Sequence, residues 1–194
     1  MNMEQKRCLW VPLNDLLYVQ YHDEEWGIPV HDDNALFEML VLEGMQAGLS
    51  WIIVLRKREG YRKAFDNFNI DKILSYNQTK IEKLVQNPEI IRHRLKINSV
   101  IQNAKAFREI QNEYGSFDKF IWSYVDNKPV IGHWKKIQNI PTTTPLSDKI
   151  SKDLKKRGFK FVGSTIIYSF MQAIGMVNDH TTDCFVYKTQ LEKH

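Results

Sequence analysis

The chain has 194 residues, 43% of them hydrophobic and 26% charged, with a formal net charge of +4. That length supports one domain with a sizeable core, and the balance is that of a soluble, mildly basic globular protein. No run approaches the roughly 20 apolar residues of a membrane span, and the polar start from Met1 to Arg7 leads into no signal-peptide core, so a cytoplasmic protein without a membrane anchor is expected.

The first thirty residues are rich in rings: Trp10, Tyr18, Tyr21, His22 and Trp26. Tyr18, Tyr21 and His22 fit one side of a short helix, and Trp26-Gly27-Ile28-Pro29 reads as the turn that ends it. Asp32 and Asp33 offer N-caps to a helix carrying Leu36, Phe37, Leu40 and Val41. The stretch Leu42 to Trp51 that follows is mostly small or apolar, yet holds one carboxylate, Glu43, and one indole, Trp51. Ser50 can cap a further helix whose apolar side runs Trp51, Val54, Leu55, Tyr61 and Phe65. Gly44 and Gly48 permit close approach where the two helices meet. A carboxylate in such surroundings must find donors or a cation. Glu43 therefore marks either an ordinary turn with a solvated acid, or a pocket for a cationic or donor-rich group with Trp51 as a stacking surface.

Short helices are expected from Asp71, and again from about Thr79 to Asn87-Pro88. Ile90 to Ile97 opens a longer helix, in which Ile97, Val100, Ile101, Ala104 and Phe107 keep the 3.6-residue period. An element packed through Phe117, Phe120, Ile121 and Trp122 ends in a turn at Asp126 to Pro129, and residues 130–146 read as an irregular surface connection. Ser147 can cap the next helix. Gly158 suits the C-cap of that helix, and Gly163 lets the N-terminus of a final helix, Thr165 to Ile174, approach a partner. Period-2 patterns are nearly absent, so the chain reads as all-α. Basic residues cluster at Arg56-Lys57-Arg58, at Arg92-His93-Arg94 with Lys96, and at Lys152, Lys155, Lys156, Arg157 and Lys160. One such cluster reads as a solvated face, but three in so small a chain add weight to a nucleic-acid partner without requiring one.

The two cysteines, Cys8 and Cys184, lie near opposite ends, each with a histidine nearby in sequence, His22 and His180. In a cytosolic protein they are either two unrelated reduced thiols or half of a Cys2His2 zinc set, which would be closed and structural. The spacing of His180 and Cys184 would place both on one face of a helical turn. Neither spacing fits a zinc finger.

Taken together, Tyr21 to Gly27, Leu42 to Trp51, Ile90 to Lys96, Lys155 to Gly163 and Asn178-Asp179-His180 resemble, in order, the motifs of the bacterial 3-methyladenine DNA glycosylase I family. The resemblance runs from about Cys8 to Cys184. It implies an all-α helix-hairpin-helix glycosylase fold over residues 1–187, followed by a polar, poorly ordered tail at 188–194. It implies a structural zinc (Zn2+) on Cys8, His22, His180 and Cys184 that clips the termini together. Glu43 would be the catalytic and base-recognising carboxylate, with Tyr21, Trp51, Trp10 and Trp26 lining the base pocket. Gly158, Lys160, Gly163 and Ser164 would meet the DNA backbone. The expected partner is duplex DNA containing alkylated adenine, bound by a monomer that flips the base out and releases free 3-methyladenine. Ser164 and Thr165 stand where bifunctional relatives carry a Schiff-base lysine, so no lyase step is expected. Asn178, with Asp179 beside it, stands where many relatives carry a catalytic aspartate. The competing class is a non-catalytic, zinc-stabilised DNA-binding module, which would need no Glu43 in an aromatic pocket.

Overall fold

Among residues 5–191, which the computed structural model describes, eleven α-helices account for nearly all regular structure. Asp15 caps α1 (Leu16–Glu24) by accepting from the Tyr18 N–H, and Asp32 caps α2 (Asp33–Gln46) by accepting from the Ala35 N–H. Helix α2 does not stop before Glu43. It is buried without a break from Leu36 to Met45 and packs against four other helices, so Glu43 and Gly44 lie in its last turns rather than in a link. The expected second helix is two, α3 (Trp51–Arg56) and α4 (Arg58–Ala64), parted at Lys57. Ser50 precedes α3 without a side-chain cap bond.

Asn69 and Asn77 cap α5 (Ile70–Leu74) and α6 (Gln78–Gln86). The 21-residue α7 (Arg94–Tyr114) starts four residues later than Ile90, because His93 supplies the cap. It ends at Gly115, whose φ of 86° is left-handed. After α8 (Phe117–Trp122), the segment 130–146 is more ordered than a surface loop: β1 (Val130–Ile131) pairs in parallel with β2 (Val177–Asn178). Strands of two residues are too short to leave a period-2 signal.

Helix α9 (Pro145–Lys156) is capped by Thr144, not Ser147. Ser147 sits at the third helical position and returns its hydroxyl to the Thr144 backbone N–H, completing a capping box with Pro145 at the first turn. Helix α10 (Ser164–Ala173) packs back on α9 as a helical hairpin. It is not the last helix: α11 (Phe185–Leu191) follows. The tail expected from residue 188 therefore begins inside α11, and residues 192–194, like 1–4, lie outside the described residues. No helix among the described residues is long and apolar enough to cross a membrane.

Candidate active site and metal cluster

Three elements bring a cavity of about 360 Å³ together. α1 and the turn after it contribute Tyr18, Tyr21 and Trp26, with Trp10 just upstream; α2 contributes Glu43 and Gln46; α10 contributes Thr165, Tyr168, Ser169 and Gln172. Trp51, at the first turn of α3, closes one side, and Ile137, Ile140, Pro141 and Thr142 close the other. All five residues expected at a base pocket are thus in one place. A second recess shares Glu43, Gln46, Thr165 and Ser169 and continues over Gly48 and Leu49.

Glu43 is 3% exposed, and its Oε2 has no hydrogen-bond partner among the described residues. Burial pushes its carboxyl up to about 8. Trp51 lines the same cavity, and its Nε1 is likewise buried and unpartnered among the described residues. One acceptor and one donor are therefore held ready for something that is not protein. The rings of Tyr21 and Trp51 meet at a centroid distance of 5.3 Å and an angle of 44°. A base sandwiched between facing rings needs them roughly 7 Å apart, twice the contact distance, so in this structure the two rings form one continuous wall. Burial also raises the Tyr21 phenol well above its usual range.

The same aromatic group leads to the second cluster. Trp10 packs edge-on against Trp26 at 5.0 Å and against His22 at 5.2 Å, and Trp26 packs against His180 at 4.6 Å. Cys8, His22, His180 and Cys184 are all buried, with their ligand atoms within 4.8 Å of one another, so they could hold a metal ion. The sulfur-to-nitrogen distances are 3.5 Å (Cys8 to His180 Nδ1), 3.5 Å (Cys184 to His22 Nε2) and 3.6 Å (Cys184 to His180 Nδ1). Those match the edge of about 3.6 Å that tetrahedral Zn–S and Zn–N bonds would subtend. The other ring nitrogens are engaged, His22 Nδ1 with Asp23 at 2.7 Å and His180 Nε2 with the Trp26 carbonyl at 2.9 Å, which fixes which nitrogen faces the cluster. Arg7 in turn holds Asp23 from the far side. Hydrogen bonds from Cys8 and the two histidines hold the Cys184 thiol well below its usual range. The spacing of His180 and Cys184 is realised in a turn, not a helix: the Cys184 N–H donates to the Thr181 carbonyl.

At the hairpin, Gly158 takes a left-handed φ of 92° and the Phe159 N–H donates to the Leu154 carbonyl, ending α9. Asn103 grips the turn from α7, accepting from the Lys160 N–H at 2.8 Å and donating to its carbonyl at 3.1 Å. A Cβ at Gly44 would stand 3.3 Å from that of Phe161, so α2 approaches the hairpin closely at the residue after Glu43. Gly163 caps α10 with no side chain and faces open space, while Ser164 Oγ lies 2.8 Å from Ser147 Oγ. Lys152, Lys155, Lys156 and Lys160 are exposed around this turn. The other two clusters are largely committed elsewhere. Arg58 is turned inward onto Glu25 and Glu38, Arg94 pairs with Glu82, and Lys96 is buried with its ammonium on the carbonyls of Met45 and Ala47.

Sequence reasoning missed the α10 wall and the 137–142 wall. The first had a signal: Thr165, Ser169 and Gln172 make a polar stripe at helical spacing on an otherwise apolar helix. The second had none. Asp179, left open beside Asn178, is 1% exposed and behind the cavity, accepting from Trp134, Tyr168 and Gln172. Asn178 is buried in β2 and accepts from the His180 N–H.

The profile of a family described as methyladenine glycosylase matches residues 10–187. DNA-3-methyladenine glycosylase 1 of Escherichia coli K12 is 51% identical over 182 residues, covering 94% of this chain and 97% of that protein. A crystal structure of 3-methyladenine DNA glycosylase I superposes with a TM-score of 0.90 at 54% identity, covering 93% of this chain and 98% of the other. A variant of 3-methyladenine DNA glycosylase I solved in complex with 3-methyladenine also gives 0.90, at 37% identity over 93% of this chain and 97% of its own. Motifs, fold and pocket agree with these likenesses, and the chain belongs to the bacterial 3-methyladenine DNA glycosylase I family.

Proposed function

We propose that the protein excises 3-methyladenine from alkylated duplex DNA by hydrolysing the N-glycosidic bond, and that Glu43 is the group that recognises the base. One observation carries the reading: a buried carboxyl with an unpartnered oxygen set in a wall of aromatic rings. A base methylated at N3 carries formal positive charge while attached to the sugar. It offsets the cost of ionising the buried Glu43, meeting the carboxylate by charge and by its exocyclic N–H, and stacks on Trp51 and Tyr21 with a cation–π contribution. Neutral adenine lacks the charge and so the largest part of that attraction.

Such a base is inside a duplex until it is flipped out, and the cavity admits it only in that state. The methylated ring is already a good leaving group. The C1′–N bond breaks with its electron pair passing to the ring, which neutralises it, and water captures the oxocarbenium-like sugar with loss of a proton. Gly158, Lys160, Gly163 and Ser164, with the neighbouring lysines, hold the phosphates of the distorted strand. Ser164 and Thr165 offer no amine for a Schiff base, so the reaction ends at the abasic site. Cys8, His22, His180 and Cys184 suit zinc by donor type and distance; the ion would be structural, since four protein ligands leave no open position.

The test is release of free base from alkylated duplex DNA by wild type beside Glu43→Gln, which keeps shape and loses charge. Wild-type release with at least a tenfold fall in the variant is expected. Equal release by both would remove Glu43 from recognition, and no release from folded wild type would remove the glycosylase reading.

A further inference from the structure

Asp179 has no assigned part in this site, yet it sits where two cavity walls meet. Its Oδ1 accepts from Trp134 Nε1 at 2.6 Å; its Oδ2 accepts from Tyr168 Oη–H at 2.6 Å and Gln172 Nε2 at 2.8 Å. Tyr168 and Gln172 line the cavity from α10, and Trp134 belongs to the segment that carries Ile137 and Ile140 to the opposite wall. A Cβ at Gly132 would collide with both Trp134 Nε1 and Asp179 Oδ1, so the close approach of that segment depends on glycine.

Both carboxylate oxygens are engaged by donors that lie between Asp179 and the cavity or anchor its far wall. The carboxylate can neither attack the sugar nor orient water without releasing them. What it does control is polarity. A phenol has one proton, and that of Tyr168 is directed at Asp179; burial, with the Asp179 hydrogen bond behind it, pushes this phenol up, so it keeps the proton. An amide bound through its nitrogen turns its carbonyl oxygen elsewhere. Tyr168 Oη therefore offers the cavity only a lone pair, and Gln172 is held in one orientation with one of its two N–H groups taken, on the same cavity as the Glu43 carboxyl.

We propose that Asp179 is a positioning residue for base selectivity: by binding the Tyr168 hydroxyl and one N–H of Gln172 it fixes Tyr168 Oη as an acceptor and the Gln172 amide in one orientation, an arrangement matched to a cationic, donor-bearing base and mismatched at Tyr168 to bases that present acceptors. This rests on the glycosylase reading above. Asp179→Asn is the direct test, because an amide can donate as well as accept and lets Tyr168 and Gln172 reverse. Zinc content must be checked on the same samples, since His180 is adjacent, and Tyr168→Phe, which removes the same donor from the other side, supplies a second variant.

Excision from methylated duplex, affinity for free 3-methyladenine by tryptophan fluorescence, and affinity for undamaged duplex are measured on the full chain. In each single variant, excision and free-base affinity are expected to fall about tenfold while duplex affinity stays unchanged. The double variant should be no worse than Asp179→Asn alone, because both changes break one interaction. Wild-type excision and free-base affinity in a folded Asp179→Asn, additive losses in the double variant, or equal losses in base and duplex binding would overturn the assignment. If Asp179→Asn does not fold, unchanged free-base affinity in Tyr168→Phe overturns it alone. Absence of excision by wild type itself would instead overturn the reading on which this one rests.

Discussion

At the scale of single residues, the site is defined by a carboxyl placed where ionisation is costly. Burial penalises the charge of Glu43 and pushes its carboxyl from the ordinary 4.5 up to about 8. Between those two values the folded state keeps a proton that the unfolded state has lost, so stability falls as pH rises through that window. At pH 5 the group is neutral and costs little. At pH 8 and above, Glu43 destabilises the free protein by an amount on the order of a few kcal/mol. Glu43→Gln has no such dependence. Its melts, compared with wild type at pH 5 and pH 8, should show an advantage that grows with pH and exceeds about 1 kcal/mol at the upper value. A constant difference across that range would mean that the carboxyl is not desolvated in solution. Glu43 was legible in the sequence because an acid among small and apolar residues is anomalous, and Trp51 because the same stretch ends on it. Tyr168 was not: one more aromatic on an apolar helix looks like core, and only the position of Asp179 behind it, 11 residues away in sequence, turns its hydroxyl into part of a site.

At the scale of elements, α2 is the axis of the pocket, and its end is set from α7. Lys96 places a buried ammonium on the carbonyls of Met45 and Ala47, at 2.8 and 2.7 Å, where a helix C-terminus carries partial negative charge. Sequence reading counted Lys96 with Arg92 and Arg94 as a basic cluster, because spacing along a chain does not tell which face of α7 is buried. The same limit applied to Arg58. By contrast, the hairpin was legible from Gly158 and Gly163, since a left-handed cap and a bare helix N-terminus need no tertiary information to suggest a turn. Lys96→Met should leave the α2 carbonyls unmet inside the protein and cost about 2 kcal/mol of stability in urea titration. It should also reduce excision, because the turn through Gly48 and Leu49 at the cavity mouth follows directly on Ala47. Full stability in this variant would show that the ammonium contact is not formed in solution.

At the scale of the whole molecule, the pocket and the Cys–His cluster share a wall. Cys8 and His22 come from the start of the chain and His180 and Cys184 from its end, so an ion bound by all four closes nearly the full length of the chain into one loop. The residues alone left the two cysteines, each with a histidine nearby, as unrelated thiols or as one Cys2His2 set; the family resemblance implied the convergence, which depends on how α1 and the turn before α11 come to lie together. Once they do, Trp26 has two roles: its ring lines the base cavity and its carbonyl faces His180 Nε2. Trp10 likewise touches both the cavity and His22. On the zinc reading proposed above, removing the ion should therefore act on base recognition as well as on stability. Treatment with a strong chelator is expected to lower the melting temperature by several degrees, since closing so long a loop restricts the unfolded chain strongly. Free 3-methyladenine affinity should fall in parallel, and added zinc should restore both. Duplex affinity should change less, because the hairpin that carries Lys155, Lys156 and Lys160 is gripped by Asn103 and Ser151 rather than by the cluster. If chelation lowered the melting temperature but left base affinity intact, the cluster would be a clip alone, and the tryptophans would be positioned by α1 and α10 without help from the metal.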